Sequence, residues 1–574
     1  MLVHITINGI KYEEDSSSTI LEAARDHGIK IPTLCFLKRD DCMLEYKPAS
    51  CRVCIVEIEG RRNLVPACAT KVEDGMVIHT NSLRVRAERK AIVELLLSNH
   101  PNDCLKCDKN RKCSLQDLAD ELGIQRVNFD GPLSQENKEI VKGSLVRNPS
   151  KCVLCNRCVA MCSEVQTIGA ISASQRGFRT IISDSYKCVN CGQCVQVCPT
   201  GALLQVDNSR EVDKILNDGE HYCVVQTAPA VRVALGEGFG LEPGVDVTKK
   251  MVTALRMIGF KKVFDTNFTA DLTIMEEATE LLERLKDQKN LPLITSCCPG
   301  WIKFIETQYP EMLNLPSSCK SPQEMFSAIS KTYLAEKLGV DPKKMAVVSL
   351  MPCVAKKQEV KREEEKWADF QPTDYSLSTK EFIAMLRRYG IDLNTVPDGE
   401  YDTPLGTSTG AADIFANTGG VMEAAVRTAG MWLEGDYPKN INWDSQFAGG
   451  GIREATVTVG GTELNLCIAS GLGNARKVME DIKAGKKNYH FVEIMACPGG
   501  CINGGGQPTV RSIKQLETLQ MRRKGIQDID KGKTLRVSCD NPEVQALYKE
   551  YLEKPGSELA HKLLHTSYHD SSEE

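Results

Sequence analysis

The stretch Thr295-Ser296-Cys297-Cys298-Pro299-Gly300-Trp301 places two adjacent cysteines directly after a short apolar run. Apolar runs of this length, bounded by Pro and Gly, are typical of buried strands. Two further cysteine segments follow similar runs: Met351-Pro352-Cys353-Val354-Ala355-Lys356 after Met345–Leu350, and Met495-Ala496-Cys497-Pro498-Gly499-Gly500-Cys501 after Tyr489–Ile494. Because ligands gather at the carboxyl ends of strands in open α/β sheets, we expect the three segments to meet at one inorganic cofactor.

Composition limits what the chain can be. At 574 residues the length predicts roughly four domains, and a net charge of −5 does not indicate a nucleic-acid partner. No apolar stretch approaches the ~18 residues of a membrane span, and the N-terminus lacks the pattern of a signal peptide. We therefore expect a cytoplasmic protein. In a reducing cytosol, 25 cysteines indicate metal ligation rather than disulfides.

The N-terminal segment, residues 1–79, predicts a hairpin followed by a cluster-binding loop. Asn8-Gly9 lies between the runs Leu2–Ile7 and Ile10–Glu13 and indicates a type I′ turn. The cysteine spacing resembles the plant-type [2Fe–2S] ferredoxin domain, although its first interval is longer than the plant Cys-x4-Cys. A zinc site is the alternative, and Cys42 is a spare thiol. The predicted ligands are Cys35, Cys51, Cys54 and Cys68.

Residues 80–140 predict a small domain with a mixed ligand set. A helix over Asn81–Ser98 ends before Pro101, and a His-x3-Cys-x2-Cys-x5-Cys pattern follows it immediately. This pattern resembles the His-ligated [4Fe–4S] domain of complex I subunits. Neutral imidazole in place of a thiolate should raise the cluster potential; structural zinc is the alternative. The predicted ligands are His100, Cys104, Cys107 and Cys113.

Residues 141–208 contain an internal repeat of Cys-x2-Cys-x2-Cys-x3-Cys. This is the pattern of bacterial ferredoxins with two [4Fe–4S] clusters, in which the fourth cysteine of each motif binds the other cluster. The first predicted ligand set is Cys152, Cys155, Cys158 and Cys198. The second is Cys188, Cys191, Cys194 and Cys162.

The remaining chain, residues 209–574, changes to long α/β patterns around the three cysteine segments. Thiolates suit iron–sulfur clusters, and neighbouring glycines let the backbone approach a bulky group. Lys356 needs an anionic partner if it is buried. Glu277 and Glu280 lie on one face of a predicted helix, Thr273–Leu285, so they could carry protons or simply form a solvated helix face.

The motifs T-S-C-C-P-G-W, M-P-C-x-x-K-x-x-E and M-A-C-P-G-G-C-x-N-G-G-G resemble the three signatures of iron-only ([FeFe]) hydrogenases, and the similarity extends over essentially the whole chain. It implies a multidomain α+β and α/β protein: a ubiquitin-like [2Fe–2S] domain, a small His-ligated [4Fe–4S] domain, a two-cluster ferredoxin domain and a two-lobed α/β H-cluster domain. Residues from about 515 to 574 resemble the helical wrap of the family's small subunit.

The resemblance also implies cofactors and roles. An H-cluster, a [4Fe–4S] cubane joined to a diiron unit with CO, cyanide and azadithiolate, accompanies three further [4Fe–4S] clusters and one [2Fe–2S] cluster. Its implied ligands are Cys298, Cys353, Cys497 and Cys501, with Cys501 bridging to the diiron unit. Cys297 would exchange protons with the azadithiolate, and Lys356 would bond a cyanide. The implied relay continues through Glu277, Ser317 and Glu280, with Glu359 a surface charge or the end of a path. Matching pocket positions are Met351, Met495, Pro229, Gln323 and Phe415.

Some positions depart from the family pattern. Ala230 stands where many relatives have Ser, so a side-chain hydrogen bond to cyanide is lost, and Cys319 stands where clostridial relatives often have Ala. Cys223, Cys467 and Cys539 lack motif partners and are interpreted as buried small apolar residues. The segment Leu235-Gly236-Glu237-Gly238-Phe239-Gly240 lacks the spacing of a dinucleotide-binding motif.

The resemblance predicts reversible oxidation of H2 to two protons and two electrons. An electron-transfer subunit would not need the three C-terminal motifs. A hydrogen sensor or iron–sulfur assembly protein usually lacks the bridging cysteines or the free Cys297. Ferredoxin is the expected electron partner, and the stretch Ser98–Cys107 also resembles subunits of NAD(P)-linked complexes with flavin-binding partners. Maturation proteins would insert the diiron unit.

Overall fold

The computed structural model describes residues 1–366, 371–438, 441, 451–510 and 514–572. In these residues no helix is both long enough and apolar enough to cross a membrane. Three small domains precede a large α/β region. The C-terminal helices pack over that region.

The N-terminal domain is a five-stranded sheet with one helix, Ile20–Asp26, packed on it. Asn8 and Gly9 both have positive φ (50° and 86°), as a type I′ turn requires. A capping box between Thr19 and Glu22 starts the helix. The strand order is Ile10–Asp15, Leu2–Ile7, Val77–His79, Ile55–Ile58 and Val65–Pro66, and a separate hairpin joins Leu37–Arg39 to Leu44–Tyr46.

The second domain consists of the helices Leu83–Ser98 and Ser114–Glu121. The first begins two residues later than predicted because Ser82 is its N-cap and accepts from the Val85 amide. Arg89 of this helix is buried and donates to the carbonyl oxygens of Val53 (2.9 Å) and Ile55 (2.8 Å). The helix is therefore fixed to the N-terminal sheet.

The ferredoxin-like domain places its two cysteine motifs at the starts of two short helices, Arg157–Ala160 and Gln193–Val197. Each helix follows a residue with positive φ, Asn156 (57°) or Gly192 (72°). The chain can therefore turn sharply between the second and third cysteine of each motif. The surrounding strands are Ile140–Lys142, Leu145–Arg147 and Leu203–Gln205 in one sheet, and Ile171–Ser174 with Ile181–Asp184 in a hairpin.

The large α/β region is built on two four-stranded sheets rather than one. The first is fully parallel, with the order Lys262–Asp265, Tyr222–Thr227, Met345–Met351 and Tyr375–Ser378. The second has the order Leu293–Ile294, Phe491–Met495, Thr462–Ser470 and Ile452–Val459, the last pair antiparallel. The three cysteine segments thus follow strands from both sheets, so their meeting point lies between two sheet ends. Two sheets agree with the two-lobed α/β domain that the family resemblance implied.

Helices cover both sheets. The longest, Thr266–Asp287, is named here the relay helix; it extends beyond the predicted Thr273–Leu285 because Asp265 caps its start. The other helices of the lobes are Ser209–Asn217, Pro229–Arg232, Thr248–Met257, Pro299–Gln308, Pro322–Ile329, Ala335–Leu338, Lys356–Glu359, Thr379–Arg388, Gly410–Asp413, Gly420–Glu434 and Leu472–Lys483.

The C-terminal helices are Gln515–Gly532, Pro542–Leu547 and Glu558–Leu564. Leu547 and Leu563 are buried in the same apolar cluster as Phe268 and Leu272 of the relay helix. Burying a leucine side chain contributes about 2 kcal/mol. The C-terminal helices are therefore an integral part of the hydrophobic core of the α/β region.

Candidate hydrogen-activating site

The cysteines of the three motifs lie at or just beyond strand ends. Cys298 precedes the helix Pro299–Gln308, and Pro299 at its first position fits because a first-turn amide needs no helical partner. Cys353 lies two residues beyond its strand, as does Cys497, and Cys501 begins a single 3₁₀ turn. Rigid elements therefore fix the approach of each thiol.

The four thiols face one another. Loss of hydration raises the pKa of Cys497 well above its usual value, and the charges of Cys353, Cys298 and Cys501 raise it further. Burial likewise raises the pKa of Cys353 to about 11, with Cys298 the next cause. Thiols so placed carry protons unless a cation compensates their charge. The arrangement therefore suits an iron centre.

Glycines allow the segment at residues 501–506, named here the Cys501 loop, to lie against the Cys353 segment. A side chain at Gly504 would overlap the carbonyl of Pro352, and a Cβ at Gly506 would stand 2.9 Å from the same oxygen. The Gly506 amide donates to Pro352 O at 2.8 Å. Only glycine permits this approach, which brings Cys501 and Cys353 to one place.

A chain of polar groups leads away from the free thiol of Cys297. Burial, then the Glu277 charge, raises the pKa of Cys297 well above its usual value. Burial and the Glu280 charge raise the pKa of Glu277 to about 8, and Glu277 Oε2 has no hydrogen-bond partner within the described residues. The Ser317 hydroxyl, which also neighbours Glu277, donates to Glu280 Oε2 at 2.8 Å. These four groups are contiguous.

Arg284 extends this chain and was not identified from the sequence. It lies one turn beyond Glu280 on the relay helix and donates to Glu280 Oε1 at 2.6 Å. The sequence signal was present as an i, i+4 acid–base pair. Such pairs are common on exposed helices, and only the burial of this one distinguishes it.

Lys356 pairs with Glu359. Its Nζ donates to Glu359 Oε2 at 2.7 Å, and that carboxylate also accepts from Ser321 and Gln323. Burial lowers the pKa of Lys356, but the charges of Glu359, Cys297 and Cys353 outweigh it and leave the pKa raised. Glu359 is only 6% exposed, so its interpretation as a surface charge was wrong.

The other predicted apolar pocket residues are buried, and Phe415 and Met495 pack with two of the thiols. Phe415 and Met495 belong to the apolar cluster against which Cys297 and Cys501 pack. Pro229 begins the helix Pro229–Arg232, whose Ala230 packs in a second cluster beside Cys501. Met351 is buried in the core of the first sheet. Apolar walls of this kind exclude water.

The N-terminal ligand candidates form local groups. Cys51 N donates to Cys35 Sγ at 3.5 Å, and the Cys54 thiol hydrogen-bonds that of Cys68. In the second domain, His100 Nδ1 is buried and is unpartnered in the described part of the chain. Cys113 neighbours Cys107 and Cys104, whose charges raise its pKa in addition to burial.

The eight ferredoxin-type cysteines form two crossed groups. Burial and then Cys198, Cys155 and Cys152 raise the pKa of Cys158 well above its usual value. Burial and the charges of Cys191, Cys188, Cys158 and Cys162 likewise raise the pKa of Cys194 well above its usual value. The fourth cysteine of each motif therefore lies with the first three of the other.

The second of these groups adjoins the four thiols of the α/β region. A Cβ on Gly192 would stand 2.8 Å from Val354, and one on Gly505 would stand 2.7 Å from the Cys191 carbonyl. Gln193 Nε2 donates to Asn503 O at 3.0 Å. Backbone contact at this seam brings the two cysteine groups close together.

The remaining cysteines stand apart from these groups. Burial raises the pKa of Cys42, Cys223 and Cys467 to about 12, in agreement with inert buried thiols. Cys539 is half-buried, so the interpretation of it as buried was wrong. Cys319 is buried 4.0 Å from Glu280 Oε2.

Comparisons with known proteins agree with this geometry. Residues 221–505 match the C-terminal domain of the iron-only hydrogenase large subunit, and 516–571 match the iron hydrogenase small subunit. Residues 1–82 match a 2Fe-2S cluster binding domain, 89–128 the NADH-ubiquinone oxidoreductase-G iron-sulfur binding region, and 151–202 a 4Fe-4S dicluster domain. The NADP-reducing hydrogenase subunit HndD of Solidesulfovibrio fructosivorans is 47% identical, with 99% of both chains covered.

The chain belongs to the iron-only hydrogenase family. Iron hydrogenase 1 of Clostridium pasteurianum is 39% identical over 98% of this chain and 99% of its own length. The solved structure of an apo [FeFe]-hydrogenase HydA1 variant from Chlamydomonas reinhardtii is 39% identical and covers 64% of this chain and 99% of its own, with a TM-score of 0.58. The chain is the catalytic polypeptide of a hydrogenase and carries iron–sulfur relay domains.

The residues present fit iron–sulfur cofactors of a hydrogenase. All 25 cysteines are free, so none is consumed by a disulfide. Cys298, Cys353 and Cys501 are deep in the protein yet keep accessible surface, which a group seated among them would cover. The unpartnered nitrogen of His100 is available to a metal.

Proposed function

We propose that this hydrogenase interconverts H2 with two protons and two electrons at an H-cluster held by Cys298, Cys353, Cys497 and Cys501. The convergence of these four thiols beside the free Cys297 is the observation that supports the proposal most strongly. Cys501 would be the ligand that holds the diiron unit as well as the cubane. When bound, the H-cluster supplies the iron at which H2 is formed and split.

The relay domains provide the electron route under this proposal. A [2Fe–2S] cluster lies in residues 1–79, a His-ligated [4Fe–4S] cluster in 80–140 and two [4Fe–4S] clusters in 141–208, followed by the H-cluster domain at 209–574. The ligand sets are those predicted from the cysteine spacing. The seam between Gly192 and Gly505 supports electron transfer from the second ferredoxin group to the H-cluster.

Protons move through this chain's own side chains. Cys297 Sγ exchanges a proton with the cofactor side and with Glu277, whose raised pKa suits proton exchange near neutral pH. Ser317 passes the proton between Glu277 and Glu280 by exchanging its own hydroxyl hydrogen. The apolar wall, which includes Met351, Met495, Pro229 and Phe415, excludes water.

Lys356 holds positive charge beside the cofactor. Its Nζ has three hydrogens, and Glu359 accepts one. Another would reach the cyanide nitrogen in a charge-assisted hydrogen bond. Gln323 donates to the same carboxylate and so orients the pair.

The electron partner is an NAD(P)-linked, flavin-binding subunit. Full-length identity of 47% with a subunit of an NADP-reducing hydrogenase supports this choice. Ferredoxin alone is the second candidate, and iron hydrogenase 1 of Clostridium pasteurianum is 39% identical over almost the same length. The purified matured chain should evolve hydrogen from a reduced viologen dye; evolution from reduced ferredoxin without added subunits would favour the second candidate.

We also propose a cytoplasmic location and insertion of the diiron unit by dedicated maturation proteins. The decisive experiment is anaerobic expression with and without those proteins. Infrared bands of metal-bound CO and cyanide, together with hydrogen evolution, should be present only in the matured chain. Mature protein without either would disprove the proposed function.

A further inference from the structure

A hydrogen-bonded branch leaves the relay at Glu280 and enters the C-terminal helices. Glu280 Oε1 is held by Arg284, whereas Oε2 faces the hydroxyls of Ser317 (2.8 Å) and Ser318 (3.3 Å). Ser318 Oγ is in turn 2.8 Å from Nδ1 of His565. One carboxylate oxygen thus joins the inner relay to an imidazole that the function described above does not use.

Arg284 does not provide an alternative exit. Its guanidinium stays protonated in proteins and therefore cannot pass a proton on. It covers the outer oxygen of Glu280, with both side chains less than one-sixth exposed. Oε2 also accepts from the Ser318 amide at 3.0 Å and lies 4.0 Å from the Cys319 thiol. Of these contacts, the Ser318 hydroxyl is the one that continues to His565.

His565 is well placed to exchange protons with solvent. Its side chain is 8% exposed, and its ring lies 4.2 Å, centroid to centroid, from that of the exposed His561. Its Nε2 lies 3.2 Å from Glu276 Oε2, a buried carboxylate that also accepts from the Tyr548 hydroxyl at 2.5 Å. This second contact fixes the ring with Nδ1 towards Ser318.

We propose that His565 collects protons from solvent and delivers them to Glu280 through Ser318. The inference deepens the proposed function and rests on it. In the step, the Nδ1–H bond of the imidazolium breaks and Ser318 Oγ gains that hydrogen. The original Ser318 hydroxyl hydrogen moves to Glu280 Oε2, which leaves neutral imidazole and a protonated carboxyl. Charge and atoms balance, no electrons move, and the reverse sequence releases protons during H2 oxidation.

The charges around His565 support this role. Two acids of the relay helix, Glu276 and Glu280, lie close to its ring nitrogens. The ionisable groups close to His565 are Glu276 and Glu280 on the relay helix, Cys319 on the loop before the helix Pro322–Ile329, and His561 on the C-terminal helix Glu558–Leu564. Two more ionisable groups are linked to it indirectly: Arg284 through Glu280, and Tyr548 through Glu276. Imidazole is the side chain whose charge ordinarily changes near neutral pH.

The test replaces the imidazole by a ring of similar shape. In the matured full chain, His565→Phe should lower hydrogen evolution from reduced viologen by about 100-fold, the lower end of proton-transfer contributions. KM for the dye and the CO and cyanide infrared bands should not change. Added imidazole should restore most of the activity, because a small buffer can replace the lost group.

A second variant interrupts the route between the His565 ring and Glu280. Ser318→Ala should lower turnover similarly, but imidazole should not restore it because the hydroxyl link to Glu280 is missing. In the chain before diiron insertion, the infrared band of the Glu280 carboxyl group should depend on pH differently in both variants than in wild type. His4→Gln, which changes an exposed histidine of the N-terminal domain, is the matched control and should behave as wild type.

Full activity of His565→Phe at every pH would overturn the inference, as would a loss that imidazole leaves unchanged. If the phenylalanine variant does not fold, His565→Gln provides the same comparison with a polar side chain. Failure of the proposed function is distinguishable, because wild-type protein itself would then lack the infrared bands and hydrogen evolution.

Discussion

The cysteines of the N-terminal and C-terminal halves reach their neighbours in different ways. In residues 1–208, each group comes from a short segment or from two adjacent repeats, and small local turns bring the thiols together. In the α/β region, Cys298 and Cys501 are separated by about 200 residues of sequence and meet because the strands before them are neighbours in the second sheet. Cys353 joins them from the end of a strand in the first sheet. The first arrangement depends on local geometry and the second on the complete tertiary fold.

This difference predicts where a mutation has only local consequences. Removing a ligand in a local group should affect one cluster of the relay. Removing one at the sheet ends should abolish the reaction, because we propose that the four thiols hold a single cofactor.

The largest effect is expected for Cys353→Ala compared with Cys104→Ala. The first variant should lose detectable hydrogen evolution and the infrared bands of CO and cyanide. The second should keep both with an artificial dye, because it alters only the exposed local group. Cys539→Ser is the control for removal of a thiol; infrared bands surviving in Cys353→Ala would contradict the proposed ligand set.

Cys297→Ser should separate proton delivery from cofactor binding. A hydroxyl is a far weaker acid than a thiol, whose reference pKa is about 8.5. We expect the infrared bands to remain while hydrogen evolution falls by about 100-fold or more, within the range of general acid–base contributions. Undiminished turnover would refute the role of Cys297 in the relay.

Glu277→Gln should change how stability depends on pH. Below about pH 4.5 the Glu277 carboxyl is protonated in folded and unfolded chains alike. Between about pH 4.5 and 8 the unfolded chain ionises while the buried carboxyl keeps its proton, so stability falls as pH rises. The variant should lack this fall of about 1.4 kcal/mol per pH unit.

Thermal unfolding of the chain before diiron insertion, measured at pH 5 and pH 8, would reveal that change. Glu13→Gln, an exposed position in the N-terminal sheet, is the control and should retain the wild-type pH dependence. Parallel pH dependences for wild type and Glu277→Gln would show that Glu277 does not carry the raised pKa.

The smallest effect on turnover is expected for His100→Cys. Replacing neutral imidazole by a thiolate adds negative charge and should lower the reduction potential of that one cluster. Redox titration followed by electron paramagnetic resonance would measure the shift, with dye-driven hydrogen evolution almost unchanged. An unaltered or higher potential would argue against ligation through His100.

Much of this protein could be predicted from its sequence. Cysteine spacing indicated the classes of the relay domains, and the three motifs indicated the family. The resemblance implied two lobes, but which strand belongs to which sheet was not predictable, because periodicity identifies strands but not their pairing. The burial of Glu359 and the position of Arg284 were also missed, since a charged residue on a helix has the same sequence pattern whether it faces solvent or a closed pocket.

The distribution of the thiols along the chain has a consequence for biosynthesis. All the proposed ligands of the relay clusters have been synthesised once Cys198 is added to the chain, so those clusters could be inserted while translation continues. The last ligand of the catalytic cofactor comes only at Cys501, and the relay helix acquires its covering helices later still. The order of synthesis therefore separates the two kinds of metal insertion in time. A nascent chain can bind its relay clusters before it can react with hydrogen.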